Sequence, residues 1–438
     1  MSAASSSSFL NAIYDMEETF SQKMTDRCSA FGGRKLIDQL LASKLSHISN
    51  GTSQIFSYHH NEYADIYLAH NVSVVVKLNA TKKEKNLEMR MQVDGHITDQ
   101  QARLKPEGGN VLNGLTHSIE SGNLDHCDSY IAHPIMLVDE NFSGANWWFF
   151  MKDLLTSFIE FTVVQPQVSS VYGNDDVQVL HTSEGRNQWR PFTDAYEFLF
   201  SNHRGMDSVQ LQELVAASSS SGNQVTLCLR HVFWSPDRGK HILINRRHSF
   251  DNCFSSIVAA FAAHLKAAVH IPTLPTPPKP RVVWVARDPS QKANPTSWQK
   301  NRIISNQPEL IAYLKQQCYA MGIELIVADF YGDKIHTSFE EQAHFVSRTN
   351  IMMGIHGAGL NMFMFLPSNS VVVEVHIGAT TAQKNSANTV THMGVGKYLR
   401  VMGRTDSESK MPLLPVWDKL KQAIDVWYEL NGVSHVAK

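Results

Sequence analysis

The chain has 438 residues, an apolar share of 43% and a formal net charge of −2. This length predicts two or three domains of roughly 150 residues each. The near-neutral net charge gives no sign of the basic surface patch that binds nucleic acid, so we expect no nucleic-acid partner. The chain contains no run of about 18 apolar residues and no basic segment leading into an apolar core, so we expect no membrane anchor within it.

The cysteines and glycosylation sequons of the chain leave its compartment open. The cysteines are widely spaced, with no CxxC pair and no metal-site cluster; they are Cys28, Cys127, Cys228, Cys253 and Cys318. Asn-x-Ser/Thr sequons, which would suit a secreted or luminal domain, stand at Asn50, Asn71, Asn79 and Asn141. Chance alone supplies several sequons in a chain of this length, so they are a hint only.

The first half of the chain is expected to form an α/β domain over residues 1–270. A helix is predicted near Trp148 to Phe158. The strand candidates are apolar and β-branched runs; they cover Tyr67 to Leu78, Ile131 to Val138, Phe161 to Gln165 and Val225 to Leu229.

An aromatic segment in this half carries one candidate catalytic residue, Asp153. Desolvation beside bulky apolar side chains raises the proton affinity of a carboxylate, which suits a general base. The competing interpretation, favoured by spacing alone, is an exposed helix residue paired with Lys152 or another cation. The neighbouring Asn146, Trp147, Trp148 and Phe149 are acceptor-side candidates. Paired tryptophans are more often core residues than platforms for a sugar.

A proline-rich segment, residues 271–280, is predicted to be a linker, since five prolines in ten residues favour an extended connector. Beyond it, strands and helices alternate, which predicts a doubly wound parallel sheet over residues 281–405. The candidate elements are a strand Val282 to Ala286, a helix Gln307 to Met321, a strand Ile323 to Ala328, and a helix from Phe339 that begins with a Ser338 capping box. A closing helix in residues 406–438 is expected to pack on the first domain.

The segment from Asn350 to Gly378 has the layout of a phosphate site. A short apolar strand ends at His356-Gly357-Ala358-Gly359, where glycine lets the backbone approach a ligand and turn into a helix. The N–H groups at the start of that helix favour a diphosphate. Glu374 stands near the carboxyl end of the next strand, where it is expected to accept hydrogen bonds from ribose hydroxyls. A lone Gly-Ala-Gly is more often structural than ligand-binding. Here His356 before it and Glu374 on the next strand favour the ligand-binding interpretation.

Two arginines are expected at the same edge of the sheet. Arg287 follows the strand that ends at Ala286, and Arg302 precedes the next helix. A planar guanidinium binds phosphate oxygens in a bidentate manner, which suits a diphosphate. Each arginine alone would more often be a solvated surface residue.

These stretches resemble glycosyltransferase family 61, which includes plant xylosyl- and arabinosyltransferases and animal enzymes that place N-acetylglucosamine on proteins. NIMMGIHGAGLNMFMFLPSNSVVVEV looks like the family's Gly-x-His-Gly-Ala-Gly-Leu-Thr-Asn signature with its Val-x-Glu strand. Three further stretches agree: VAR with RIISN, SFEEQ, and residues 146–155, which are similar to an Asn-x-x-His-x-x-x-Asp motif. The likeness is dense from about 280 to 378 and thin before it.

The resemblance implies a metal-independent GT-B enzyme with two Rossmann-like domains facing a cleft. In it, Arg287, Arg302 and the turn His356, Gly357, Ala358, Gly359, Leu360 and Asn361 hold the nucleotide diphosphate, Glu374 holds the ribose, and Asp153 faces the sugar. The chain departs from the family at Asn361 and Met362, which replace Thr-Asn, at Ala286, which replaces Ser, and at Phe149, which replaces His.

We therefore expect an inverting transferase that moves xylose, N-acetylglucosamine or arabinose from a UDP-sugar to a hydroxyl of a glycan or glycoprotein. No Asp-x-Asp motif is present, so no metal cofactor is expected. Phe149 motivates an alternative, a catalytically inactive member that binds a nucleotide sugar as a scaffold. A dinucleotide-dependent oxidoreductase is weaker because no GxGxxG opens a βαβ unit. The family's usual membrane anchor is missing, which fits a trimmed domain of the Golgi or endoplasmic reticulum lumen, or a cytoplasmic protein if the chain is full length.

Overall fold

The computed structural model describes most of the chain in separate stretches. These are residues 6–42, 46–47, 52–58, 66–79, 86–94, 120–121, 126–138, 147–172, 177–181, 192, 194–201, 203, 205–206, 208–217, 223–235, 253–286, 304–330, 338–377, 385–394, 396–403 and 410–434. The predicted site residues Arg287, Arg302 and Asn146 lie outside these stretches, as does the side chain of Phe149.

The chain divides into two compact units, and the second is discontinuous in sequence. The first unit comprises Met1–Thr19 and Ser29–His248, and the second comprises Phe20–Cys28 and Ser249–Lys438. The division thus falls ahead of the proline-rich segment 271–280, which belongs to the second unit together with the helix before it. Each unit contains one β-sheet, so the α/β class is confirmed.

The first unit is built on a nine-stranded sheet of mixed direction. Its strands are β1 (Ser46–His47), β2 (Gln54–Tyr58), β3 (Ile66–Asn79), β4 (Asn86–Val93), β5 (Glu120–Ser121), β6 (Ser129–Ile131), β7 (Ile135–Val138), β8 (Gln178–His181) and β9 (Gln224–Trp234). Strand β3 pairs antiparallel with β2, β4 and β9, whereas β7 pairs parallel with β8 and β9. The antiparallel pairs distinguish this sheet from the all-parallel sheet of a Rossmann-like domain.

Helices accompany this sheet, and one of them corrects a prediction. They are α1 (Ser6–Thr19), α2 (Asp26–Gly32), α3 (Arg34–Ala42), α4 (Trp147–Tyr172), α5 (Asp194–Phe200) and α6 (Ser208–Ala217). Helix α2 crosses the boundary between the units in the sequence, because its residues 26–28 belong to the second unit. The predicted strand Phe161 to Gln165 is wrong, since these residues continue α4. Every described side chain of α4 up to Val164 is buried. Polar residues recur at helical spacing in the first half of α4, and they are buried as well; they are Lys152, Asp153, Thr156, Ser157 and Glu160. Phe161 to Gln165 continues the helix as a largely β-branched run, which by itself resembles a strand.

The second unit contains a five-stranded sheet that is parallel throughout. Its strands are β10 (Val282–Val285), β11 (Leu325–Ala328), β12 (Ile351–Ile355), β13 (Ser370–Ile377) and β14 (Gly396–Gly403). All positions of β10, β12 and β13 are buried, as expected of a parallel sheet covered on both faces. The predicted doubly wound pattern of this half is confirmed in these strands.

Three helices of the second unit were predicted, namely those that begin at Gln307 and Phe339 and the closing helix; the other two were not. The helices of this unit are α7 (Ser256–Ala268), α8 (Gln307–Ala320), α9 (Phe339–Ser347), α10 (Asn385–Met393) and α11 (Leu413–Asn431). The Ser338 capping box at α9 is confirmed: the Glu341 N–H donates to Ser338 Oγ at 3.1 Å, and the Ser338 N–H donates to Glu341 Oε2 at 3.3 Å. The buried face of α11 joins the core of this unit, where the sequence led us to expect a contact with the first domain.

None of the helices that the structure describes combines the length and apolar character that a bilayer span requires.

Two disulfides cross-link distant parts of the sequence. Cys28 pairs with Cys253 inside the second unit, and Cys127 pairs with Cys228 inside the first. Cys318 is buried and is not in a disulfide. The first bridge fastens the short segment 20–28 to the start of the large segment of its unit, so that the two pieces of the second unit are covalently joined.

Candidate functional site

The second sheet has a topological switch point between β10 and β12. The strand order is β11-β10-β12-β13-β14, so the chain moves outward from β10 to one neighbour and returns to place β12 on its other side. In open α/β sheets ligands bind outside the carboxyl ends of the strands at such a point. His356 follows β12 directly, and Ala286 follows β10. The sheet order therefore brings the predicted turn to the edge where a ligand is expected.

The turn after β12 leads into a 3₁₀ helix, Ala358–Phe365. The Leu360 N–H donates to Gly357 O at 3.1 Å, which is the first hydrogen bond of that helix. The preceding N–H groups of Gly357, Ala358 and Gly359 are therefore not used by the helix, as at any helix start. Apolar side chains beyond them, Leu360 and Met362 to Leu366, are buried. Buried side chains thus anchor the turn on its core side, and the N–H groups of Gly357, Ala358 and Gly359 precede the helix.

Glycine is required at Gly354 for a packing reason. A Cβ atom there would lie 3.0 Å from both the Cβ and the carbonyl oxygen of Val285. At Gly359 a Cβ would meet Val285 and Phe330 at 3.5 and 3.6 Å, which are ordinary contacts. These distances place the start of the 3₁₀ helix over the end of β10.

Replacing Gly354 by alanine is expected to lower the free energy of unfolding by about 1–3 kcal/mol, because the added methyl group overpacks two strands whose backbones cannot separate. Gly359→Ala is the matched control and should stay within about 0.5 kcal/mol of the wild type. Urea unfolding followed by circular dichroism measures both. Equal losses in the two variants would contradict this account of the packing.

A buried hydrogen-bond network lies beneath the turn and centres on Glu374. Its Oε1 accepts from His356 Nδ1 at 2.6 Å and from Ser386 Oγ at 2.8 Å. Its Oε2 accepts from Tyr398 OH at 2.6 Å and from His376 Nε2 at 2.9 Å. An ionised carboxylate only accepts hydrogen bonds, so each of these imidazole nitrogens carries its proton.

Glu374 is ionised despite being fully buried. Burial acts to raise the pKa of its carboxyl group, but the hydrogen bonds from His356 and His376, the charge of His356 and the Tyr398 hydroxyl outweigh that effect and hold the pKa well below its usual range. In turn, burial and the Glu374 charge raise the pKa of Tyr398, so its hydroxyl keeps its proton. The network is thus one fixed anion surrounded by four donors.

The same network reaches the turn through Asn361. The Asn361 amide is buried and donates from Nδ2 to Gly357 O at 3.2 Å. Its Oδ1 accepts from Ser386 Oγ at 3.4 Å, and Ser386 also bonds Glu374. Asn361 therefore supports the turn from below, at one of the positions where the chain departs from the family signature.

Three side chains of the network also have the composition of a cation site. The ligand atoms of His356, Glu374 and His376 lie within 4.8 Å of one another. Both Glu374 oxygens, however, already accept hydrogen bonds from these histidines, and the two imidazole rings stack at a centroid distance of 5.1 Å. A metal ion would have to break both of those bonds, so we interpret the group as a polar network.

The predicted acceptor-side residues belong to the first unit. Asp153 is buried, not exposed as the competing interpretation required. Trp147 and Trp148 are buried as well, and Trp147 packs against Phe150 and Phe192. A platform for a sugar needs an exposed ring face, so core packing is the role that these tryptophans have.

Comparison with known proteins identifies one family. The family model described as Glycosyltransferase 61 matches residues 147–373. No curated protein gives a significant match.

Two solved structures show a faint likeness to this chain. Rubredoxin oxygen:oxidoreductase of the anaerobe Desulfovibrio gigas is 10% identical with a TM-score of 0.23, over 48% of this chain and 45% of that chain. A mutant flavo di-iron protein of Thermotoga maritima is 9% identical with a TM-score of 0.25, over 88% of this chain and 100% of that chain. At these scores the likenesses carry no argument. This chain spans less than half the length of the first of them.

Proposed function

Because the chain belongs to glycosyltransferase family 61 and is therefore a glycosyltransferase, we propose that it transfers a sugar from a UDP-sugar to a hydroxyl of a glycan or glycoprotein, with inversion at the anomeric carbon. The donor sugars that we propose are xylose, N-acetylglucosamine or arabinose. A GT-B arrangement, with donor and acceptor domains on either side of a cleft, is part of this proposal.

The observation that carries the proposal is the position of the His356 turn at the switch point of the parallel sheet. A diphosphate at this edge would meet the N–H groups of Gly357, Ala358 and Gly359, and backbone donors at a helix start bind phosphate oxygens. Arg287, two residues beyond β10, and Arg302, shortly before α8, would add guanidinium groups from the same edge.

In the proposed reaction an acceptor hydroxyl attacks the anomeric carbon while Asp153 takes the hydroxyl proton. The bond between the anomeric carbon and the diphosphate oxygen breaks, and UDP leaves with the bonding electron pair. Negative charge grows on the diphosphate in the transition state, where fixed donors and cations stabilise it most. Arg287, Arg302, His356 and the turn would supply this stabilisation without a metal ion.

The network under the turn suggests a different role for Glu374 than contact with ribose. Its two oxygens already accept four hydrogen bonds, and the side chain is buried. We assign it to orienting His356: with Nδ1 donating to Glu374, the other ring nitrogen, Nε2, would meet a phosphate oxygen.

Calorimetric titration of UDP in the presence of EDTA tests the arrangement. We expect saturable binding of one UDP per chain that EDTA does not change, because the protein's own cations neutralise the diphosphate. UMP is the control and should bind more weakly, since it lacks the second phosphate. Absence of UDP binding, or its loss on chelation alone, would contradict the proposal.

We place this activity in an oxidising compartment, the lumen of the endoplasmic reticulum or Golgi. The two disulfides support this location, since such bonds persist in oxidising compartments and are rare in the cytosol. The cytoplasmic alternative would leave the four cysteines as thiols.

A further inference from the structure

We propose that Asn71 carries an N-linked oligosaccharide. The residue is exposed, and it opens the sequon Asn71-Val72-Ser73. It lies on β3 between the half that pairs with β2, ending at His70, and the half that pairs with β4, beginning at Val72. Asn71 therefore lies at the gap between two strands that pair with the same side of β3.

The backbone conformation at Asn71 is fixed by hydrogen bonds from a neighbouring side chain. Asn71 has φ 52°, in the left-handed region that asparagine tolerates better than most residues. The buried Ser53 hydroxyl donates to Asn71 O and accepts from the Asp94 N–H at 2.8 Å. The Asn71 Nδ2 itself makes one long bond, 3.4 Å, to Thr52 O at an exposed position. The amide nitrogen that would take the sugar is thus at the surface.

A left-handed backbone explains an asparagine at 71 but not a hydroxyl at 73. Ser73 is fully buried in β3, and within the described part of the chain its Oγ has no hydrogen-bond partner. A buried hydroxyl without a partner costs stability, and alanine at this position would not carry that cost. The hydroxyl has a use before folding, when the extended Asn-x-Ser sequence is read by the glycosylation machinery.

The chemistry needs a lipid-linked oligosaccharide diphosphate, which the secretory lumen supplies. The Asn71 Nδ2 attacks the anomeric carbon of that oligosaccharide and loses one proton. The carbon–nitrogen bond forms, the carbon–oxygen bond to the lipid diphosphate breaks, and the diphosphate leaves with the electron pair. The disulfides support passage through that compartment independently of the sequon.

The test is expression of the full chain behind a cleavable secretion leader in a eukaryotic host. Protein is collected from both lysate and medium, because the sugar is added before folding is complete. Treatment with peptide N-glycosidase in heavy-oxygen water converts a glycosylated asparagine to labelled aspartate, and mass spectrometry of the peptide locates it. We expect the label at Asn71, and a Ser73→Ala variant that loses it while Ser73→Thr keeps it.

Ser235→Ala is the matched control, since its hydroxyl is also buried without a described partner but belongs to no sequon. It should keep the label at Asn71. The unglycosylated Ser73→Ala protein made in bacteria should melt at or above the temperature of bacterial wild type. An unlabelled Asn71 in protein whose other sequons are labelled, or in protein that carries no label at all, would overturn the proposal.

Discussion

Replacing His356 by alanine is expected to weaken UDP binding by about tenfold to a hundredfold. A hydrogen bond to a charged group contributes about 1.5–3 kcal/mol, and each 1.4 kcal/mol is a factor of ten in affinity. The loss should appear in both the affinity for UDP and the turnover, because the same contact would neutralise the leaving diphosphate. Isothermal titration with UDP and a donor-hydrolysis assay measure the two quantities.

His344→Ala is the control for His356→Ala. His344 lies on α9 of the same unit, is partly exposed, and pairs with Glu340 at 3.8 Å outside the Glu374 network. Its loss should leave UDP affinity within twofold of the wild type, as an exposed ion pair contributes little. If His356→Ala bound UDP with wild-type affinity while remaining folded, the phosphate site would lie elsewhere.

Replacing Glu374 by alanine is expected to destabilise the second unit by about 3–5 kcal/mol, the range for breaking a buried ion pair. The substitution leaves four donors without their acceptor at the centre of a parallel sheet. Tyr398→Phe is the graded comparison: it removes one donor, leaves three, and should cost about 1 kcal/mol. Urea midpoints at neutral pH measure both, and equal stability of Glu374→Ala and wild type would refute the network as drawn.

The same carboxylate predicts how stability depends on pH. Since the pKa of Glu374 is lowered in the folded state from an ordinary value of 4.5, the unfolded chain binds its proton first as the pH falls. Its contribution is therefore complete above about pH 5.5 and is lost progressively as the pH drops through 4.5 toward the folded value. Urea midpoints from pH 6 to pH 3 should fall more steeply for wild type than for Glu374→Gln. Equal slopes of the urea midpoint against pH in the two proteins would contradict a stabilising role of the ionised Glu374.

Local sequence pattern predicted the second unit well. Strands β12 and β13 are short, apolar and bounded by glycine or proline, and the Ser338 capping box is legible within four residues. The helix α4 was harder, because Phe161 to Gln165 is apolar and β-branched like a buried strand. Whether such a run forms a strand or continues a buried helix depends on the tertiary packing of the whole helix. A window of five residues does not contain that information.

The parts of the site that are close together in sequence could be predicted, and the contacts between residues far apart in sequence could not. The His356 turn and the position of Glu374 follow from adjacent residues. Tyr398 and Ser386 could not be found, since they reach Glu374 from β14 and α10 once the sheet order is known. The cysteine pairs were hidden for the same reason: Cys28 and Cys253 are 225 positions apart.

The discontinuity of the second unit constrains how this protein is made. Residues 20–28 leave the ribosome early, yet the cysteine that they must join is synthesised 225 positions later. Through that interval Cys28 is a thiol exposed to wrong partners, and Cys127 and Cys228 both appear before the right one. Cys28 must therefore stay reduced, or be released from a wrong partner, until Cys253 is made, and a gene fragment that starts at residue 249 would lack residues 20–28 of the second unit.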